Sequence, residues 1–105
     1  MRRIIAVLAV AALVTGVVFA QQTTHEGVGE GYNGEIRLQV TVEGDNIVSI
    51  EVISHSETPG LSDPAFQQVT QRIIDSNSTE VDGVSGATAT SEGIKAAVEG
   101  ALSGR

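Results

Sequence analysis

Nine residues, Glu35 to Glu43, alternate without error. Ile36, Leu38, Val40 and Val42 fall on one side; Arg37, Gln39, Thr41 and Glu43 fall on the other. Side chains alternate across a pleat with period 2, so this pattern predicts a strand with one buried face. Gly44-Asp45-Asn46 follows, which is turn chemistry at hairpin length. Ile47 to Ser54 then predicts a second strand, rich in β-branched residues. Val48, Ile50 and Val52 form its expected apolar face, with Ile47 and Ile53 on the opposite one. A lone hairpin is marginal in water, so that face needs a cover.

Two amphipathic helices are available to provide it. Asp63-Pro64 predicts an N-cap with proline at the first helical position. The helix then runs to about Asp75, with Phe66, Val69 and Ile73 on one stripe and Ala65 and Ile74 beside them. Thr79 to Val84 predicts a short strand or extended piece. Thr90 or Ser91 is expected to cap the last helix, whose Ile94, Ala97, Val98, Ala101 and Leu102 follow i, i+3, i+4, i+7, i+8. The order β-β-α-(β)-α predicts an α+β domain, a small antiparallel sheet with two helices packed on it.

The N-terminus reads differently. Arg2 and Arg3 precede 17 residues, Ile4 to Ala20, of apolar and small side chains. This is the form of a secretory signal, or of an uncleaved membrane-anchor helix if it is retained. Residues 1–20 are therefore expected to be leader or anchor. Residues 21–33, with Gly27, Gly29 and Gly31, predict a linker, and 34–105 the domain. Cleavage is expected after Ala20. Residues 21–105 then carry four Lys and Arg against thirteen Asp and Glu, a formal charge of −9. Nucleic acid and anionic membrane surfaces are poor partners for that balance. Without cysteine, no disulfide supports a core of this modest size.

The chemistry concentrates in two loops. Asp82-Gly83-Val84-Ser85-Gly86-Ala87-Thr88-Ala89-Thr90-Ser91 is a run of small and hydroxyl residues set before the last helix. Its amides lie at the positive end of a helix dipole, which favours an anion such as a phosphate. Read on composition alone, it is first a capped helix start after a glycine turn. His55-Ser56-Glu57-Thr58-Pro59-Gly60-Leu61 follows a strand end, and by itself is a Pro-Gly turn. His55 and Glu57 form no catalytic dyad, and the two histidines have no metal-ligand spacing. Tyr32 and Phe66 are the only aromatic residues beyond the leader. Phe66 belongs to a helix stripe; Tyr32 is free to stack on a ring.

Asp82-x-x-Ser85-Gly86-Ala87-Thr88 resembles the acceptor motif of the FMN-binding domain family, which includes flavoprotein subunits of sodium-pumping NADH:quinone reductases and related ferredoxin:NAD reductases. His55-x-Glu57-Thr58-Pro59-Gly60 resembles a second loop of that family, in the same order along the chain. The resemblance covers roughly Gly31 to Leu102. It implies FMN, joined by an exported flavin transferase through a phosphoester to Thr88. Ser85, Gly86, Ala87, Thr90 and Ser91 would surround the phosphate. Glu57, Thr58, Pro59 and Gly60 would lie by the isoalloxazine ring, and Asp82 would be read by the transferase. The chain would be an extracytoplasmic electron carrier with a redox partner, and a substrate of an enzyme rather than an enzyme. A non-covalent FMN or sensory module, or a cofactor-free exported interaction domain, stays open beside it.

Overall fold

The computed structural model describes residues 21–105, so the expected leader over 1–20 lies outside the described residues. Three antiparallel strands form one sheet in the order β1-β2-β3: β1 Gln22–Glu30, β2 Glu35–Glu43 and β3 Asn46–Ser54. Two helices follow, α1 Asp63–Ser76 and α2 Thr88–Ser103. The domain is α+β, as the residue patterns predict.

β2 is the central strand and behaves as its alternation requires. Ile36, Leu38, Val40 and Val42 are buried against Ala65, Val69 and Ile73 of α1 and Ile94, Ala97, Val98 and Ala101 of α2. The core therefore lies between one face of the sheet and the two helices. Phe66 is half-buried at its margin.

Three local expectations are corrected. First, 22–30 is strand β1 rather than linker, paired along its length with β2 from Gln22–Glu43 to Glu30–Glu35. Its glycines alternate because that face meets α2 backbone to backbone. A Cβ at Gly27 would overlap the Ala97 carbonyl oxygen, and one at Gly29 the Gly93 carbonyl oxygen. Glycine in a strand marks such an approach. Second, the buried face of β3 changes phase. Val42 pairs with Ile47, Thr41 with Ser49 and Val40 with Ile50, so Val48 is the extra residue of a bulge. Ile47 is consequently buried and Val48 exposed. A second irregularity leaves Ile53 unpaired between Val52–Leu38 and Ser54–Arg37, and it is exposed too. Third, Thr79 to Val84 joins no strand.

The helix ends also differ from expectation. Ser62 occupies the α1 cap position, and Asp63 is already helical. α1 stops at Asn77, which adopts the left-handed conformation (φ 54°). The Asn77 side chain accepts from the Ile47 amide at 2.8 Å and donates to the Asp45 carbonyl at 3.1 Å, tying the helix end to the β2–β3 turn.

Candidate functional site

α2 begins abruptly. Ser85 and Gly86 form a turn closed by the Ala87 amide donating to the Val84 carbonyl at 2.9 Å. Gly86 has φ +86°, a conformation that side chains with a Cβ rarely adopt. Ala87 holds the cap position, and no side chain caps the helix. The Ser91 amide donating to the Ala87 carbonyl is the first bond of the helix. The amides of Thr88, Ala89 and Thr90 precede it, and they belong to the donors a helix start leaves without intrahelical partners. The expected caps serve elsewhere. The buried Ser91 hydroxyl donates to the Ala87 carbonyl at 2.8 Å and accepts from the Val84 amide at 3.0 Å. The Thr90 hydroxyl donates to Glu57 at 2.5 Å. Thr88, at the first helical position, is exposed, and among the described residues its side chain makes no hydrogen bond.

The 55–61 loop is built around a carboxylate that points inward. Glu57 is only 4% exposed. Its Oε1 accepts from the Tyr32 amide at 2.8 Å as well as from Thr90, and its Oε2 accepts from the Asn33 amide at 2.7 Å. One side chain thus joins the β1–β2 connector, its own loop and the first turn of α2. Burial alone would push this carboxyl up. The Thr90 hydroxyl, the Asn33 and Tyr32 amides and nearby His55 outweigh it and hold the carboxyl below the ordinary carboxylate range. The His55 ring lies 4.3 Å from that of Phe66, and its Nδ1 accepts from the Glu57 amide at 2.9 Å. His55 is exposed, and through these two contacts it braces the loop.

The rest of the loop is a tight turn. The Thr58 carbonyl accepts from the Ser62 amide at 2.9 Å and the Ser62 hydroxyl at 2.8 Å. The Gly60 amide donates to Asp63 at 3.1 Å. Pro59 and Gly60 shape this turn and do not line the cavity that Thr58 lines. The Thr58 hydroxyl accepts from the Asn33 side chain at 3.2 Å.

Between these two loops lies a cavity of about 470 Å³, within the size range of small-molecule sites. Glu57, Thr58, Leu61 and Ser62 form one wall, Gly86 to Thr90 the opposite one, and Tyr32 and Asn33 a third. Tyr32 (77% exposed) and Leu61 (60% exposed) are large apolar side chains left open to solvent at this site. A second, more open concavity shares Thr88 and is lined also by Asp82, Gly83, Val84, Ser85 and Glu92. No Lys, Arg or His lines either.

The arrangement fits a molecule with a flat apolar end and an anionic end. Tyr32, Leu61 and Ala87 offer apolar surface to the flat end, and the uncapped amides of α2 offer donors to the anionic end. Residues 31–103 match the FMN-binding domain family. The chain belongs to that family. FMN is accordingly its cofactor, and the cavity's shape and donors suit it. Over 74 residues the chain is 36% identical to the NADH:acrylate oxidoreductase of Vibrio harveyi, covering 70% of this chain and 7% of that protein. It is 34% identical over 68 residues to the NADH:fumarate oxidoreductase of Klebsiella pneumoniae, covering 65% and 7%. It is 34% identical over 53 residues to a component of the ion-translocating oxidoreductase complex of Vibrio cholerae, covering 50% and 25%. This FMN-binding domain thus spans a quarter or less of the length of these relatives.

Of the two loops, the first brings Glu57 and Thr58 to the cavity, and the second brings Gly86, Ala87 and Thr88. Ser85 and Asp82 lie instead on the second concavity. Thr90 lines the cavity with its hydroxyl committed to Glu57, and Ser91 is buried beneath it. Asn33, Leu61 and Ser62 are additional lining residues. Only Leu61 left a signal, as an apolar side chain directly after a Pro-Gly turn.

Proposed function

We propose that this domain is an exported electron carrier whose FMN is joined to Thr88 by a phosphoester bond. One observation carries the reading. The Thr88 hydroxyl is exposed, makes no hydrogen bond within the described residues, and stands at an uncapped helix start beside a cavity of suitable size. Electrostatics favours a covalent link. No cation lines the site, and Asp82 and Glu92 stand on the neighbouring concavity. A free FMN phosphate carries close to two negative charges at neutral pH. A phosphodiester carries one, and it needs no ion pair to stay.

Attachment balances as a transfer from FAD. The Thr88 hydroxyl oxygen bonds to the flavin-side phosphorus, the pyrophosphate bond breaks, and AMP leaves with the hydroxyl proton. No electron is exchanged, and the chain gains one FMN less one water. A flavin transferase supplies the catalysis, reading Asp82 and Ser85 on the open side of Thr88.

When bound, FMN supplies the redox chemistry. The chain would position it: the α2 amides would hold the phosphate oxygens, Tyr32 and Leu61 would lie against the ring, and Thr58 would offer a hydroxyl there. Glu57 fixes the three walls relative to one another. A site with so few covering side chains leaves one flavin edge open to a redox partner. The charge of −9 over 21–105 calls for a basic docking surface on that partner. The relatives named for NADH-dependent reduction and for ion translocation support a place in electron traffic, and the leader-like residues 1–20 support export.

The test is to purify the protein from cells that supply an exported flavin transferase, denature it, desalt it and record the flavin absorbance. Absorbance retained with the polypeptide supports covalent attachment. Flavin lost on denaturation supports a non-covalent module instead, and protein isolated without flavin a cofactor-free one.

A further inference from the structure

The segment that carries the acceptor motif has no regular structure of its own. Val81 to Val84 pairs with no strand. Its backbone is nonetheless held from both helices. Arg72 of α1 donates through Nη1 to the Asp82 carbonyl at 2.8 Å and the Gly83 carbonyl at 3.2 Å. Its Nη2 donates to Gln68 one turn earlier, which fixes the fork. Lys95 of α2 donates to the Val81 carbonyl at 2.9 Å and pairs with Glu92 at 3.0 Å. Its side chain is only 19% exposed, so the ammonium reaches that carbonyl along a mostly covered stem.

Residues 21–105 contain four basic side chains, and two of them hold successive carbonyls of this one segment. The side chains of Asp82, Ser85 and Thr88 show the opposite pattern. None makes a hydrogen bond among the described residues, and all three are exposed and line the same open concavity. The backbone is pinned while the motif's polar groups are presented outward.

We propose that Arg72 and Lys95 are positioning residues for flavin attachment, holding residues 81–84 in the shape that the flavin transferase engages. This rests on the reading of Thr88 as the acceptor. The physical ground is preorganisation. A loose segment must be ordered when the transferase binds it, and that ordering costs affinity. The pinned segment has met the cost on folding. The residues act on binding of the acceptor and leave the chemistry at Thr88 untouched.

The experiment uses the full chain, a flavin transferase, FAD and Mg²⁺, with FMN incorporation followed by mass across acceptor concentrations. Arg72→Met and Lys95→Met keep an apolar stem and remove the donors. Amide hydrogen exchange over 82–86 is measured on the same proteins. In the double variant, exchange should quicken, and the KM for acceptor should rise roughly tenfold, as the cost of ordering about one residue implies. The kcat should stay within about twofold, because bonds lost equally before and during the chemical step leave it unchanged. Arg72→Lys, which keeps one donor, should recover part of the KM. Arg72→Met alone carries the test if the double variant loses its far-UV circular dichroism.

Quicker exchange with an unchanged KM overturns the proposal. So does a raised KM with unchanged exchange, which would make the two cations direct contacts of the transferase. A parent chain that takes up no FMN removes the reading of Thr88 itself. A parent labelled at Thr88 with variants of equal KM removes only the positioning role.

Discussion

Replacing Glu57 by glutamine keeps the shape of the side chain and removes its charge. Every hydrogen-bond partner of this carboxylate is a donor: the Tyr32 amide and the Thr90 hydroxyl on Oε1, and the Asn33 amide on Oε2. A glutamine can place its carbonyl at Oε1 and keep two of these bonds. Its NH2 group then faces the Asn33 amide, donor against donor. Losing that acceptor costs about 1 kcal/mol, the low end of the range because Asn33 itself is exposed. The two remaining bonds lose their charge assistance, roughly 1 kcal/mol each. The expected loss at pH 7 is about 3 kcal/mol, or a Tm lower by roughly 12–24 °C for a domain of this size.

The pH dependence gives a second handle on the same residue. The folded-state Glu57 carboxyl lies below its ordinary range despite the opposing effect of burial. In the unfolded chain it titrates near about 4.3. Its stabilisation is therefore present above that pH and lost as pH falls through the lower folded-state value. Glu57→Gln has no such loss, so the gap between parent and variant should narrow in acid. Thermal unfolding of the flavin-free proteins, followed by circular dichroism at pH 7 and pH 3, measures both. A gap below about 1 kcal/mol at pH 7 would refute the convergence of charge-assisted bonds on Glu57. A gap that widens in acid would refute the ionised state.

Further substitutions test other parts of the account. Gly29→Ala places a methyl against the Gly93 carbonyl and the Ala97 amide, and should cost about 3 kcal/mol or more in urea unfolding because backbone must move. Asn77→Ala should cost roughly 2–3 kcal/mol in the same assay, combining a left-handed conformation with lost side-chain bonds to Ile47 and Asp45. Asn77→Gly should recover the conformational part alone. Thr58→Ala in the flavin-loaded protein should leave flavin content intact and move the two-electron midpoint potential by no more than roughly 20 mV, the equivalent of one neutral hydrogen bond. Zero flavin content with the fold intact would make the loop part of the attachment determinant.

The elements whose side chains repeat cleanly are legible in the sequence. The β2 alternation matches its buried residues, and the α2 stripe is buried at Ile94, Ala97, Val98 and Ala101 and half-buried at Leu102. β1 was not legible as a strand, because its signal is a face of glycines. Gly27 and Gly29 bury their backbone under α2, and that partner lies almost seventy residues along the chain. The phase of β3 depends on the bulge at Val48, which is set by pairing with β2 rather than by the residue's own preference. Residues of both loops line one cavity. Which of their groups face it was hidden. Thr90 and Glu57 satisfy each other, and only the fold brings residues 33 positions apart within hydrogen-bonding distance. Tyr32 and Leu61 reach the cavity from segments whose sequences carry no periodicity.

The central claim is that Thr88 carries the flavin. Peptide mass spectrometry of the protein after reaction with a flavin transferase, FAD and Mg²⁺ tests it most directly. The account predicts one FMN less one water, localised to Thr88, absent in Thr88→Ala and still present at Thr88 in Thr90→Ala. FMN found on Ser85 or Thr90, or Thr88→Ala labelled to the same extent as the parent, would contradict it.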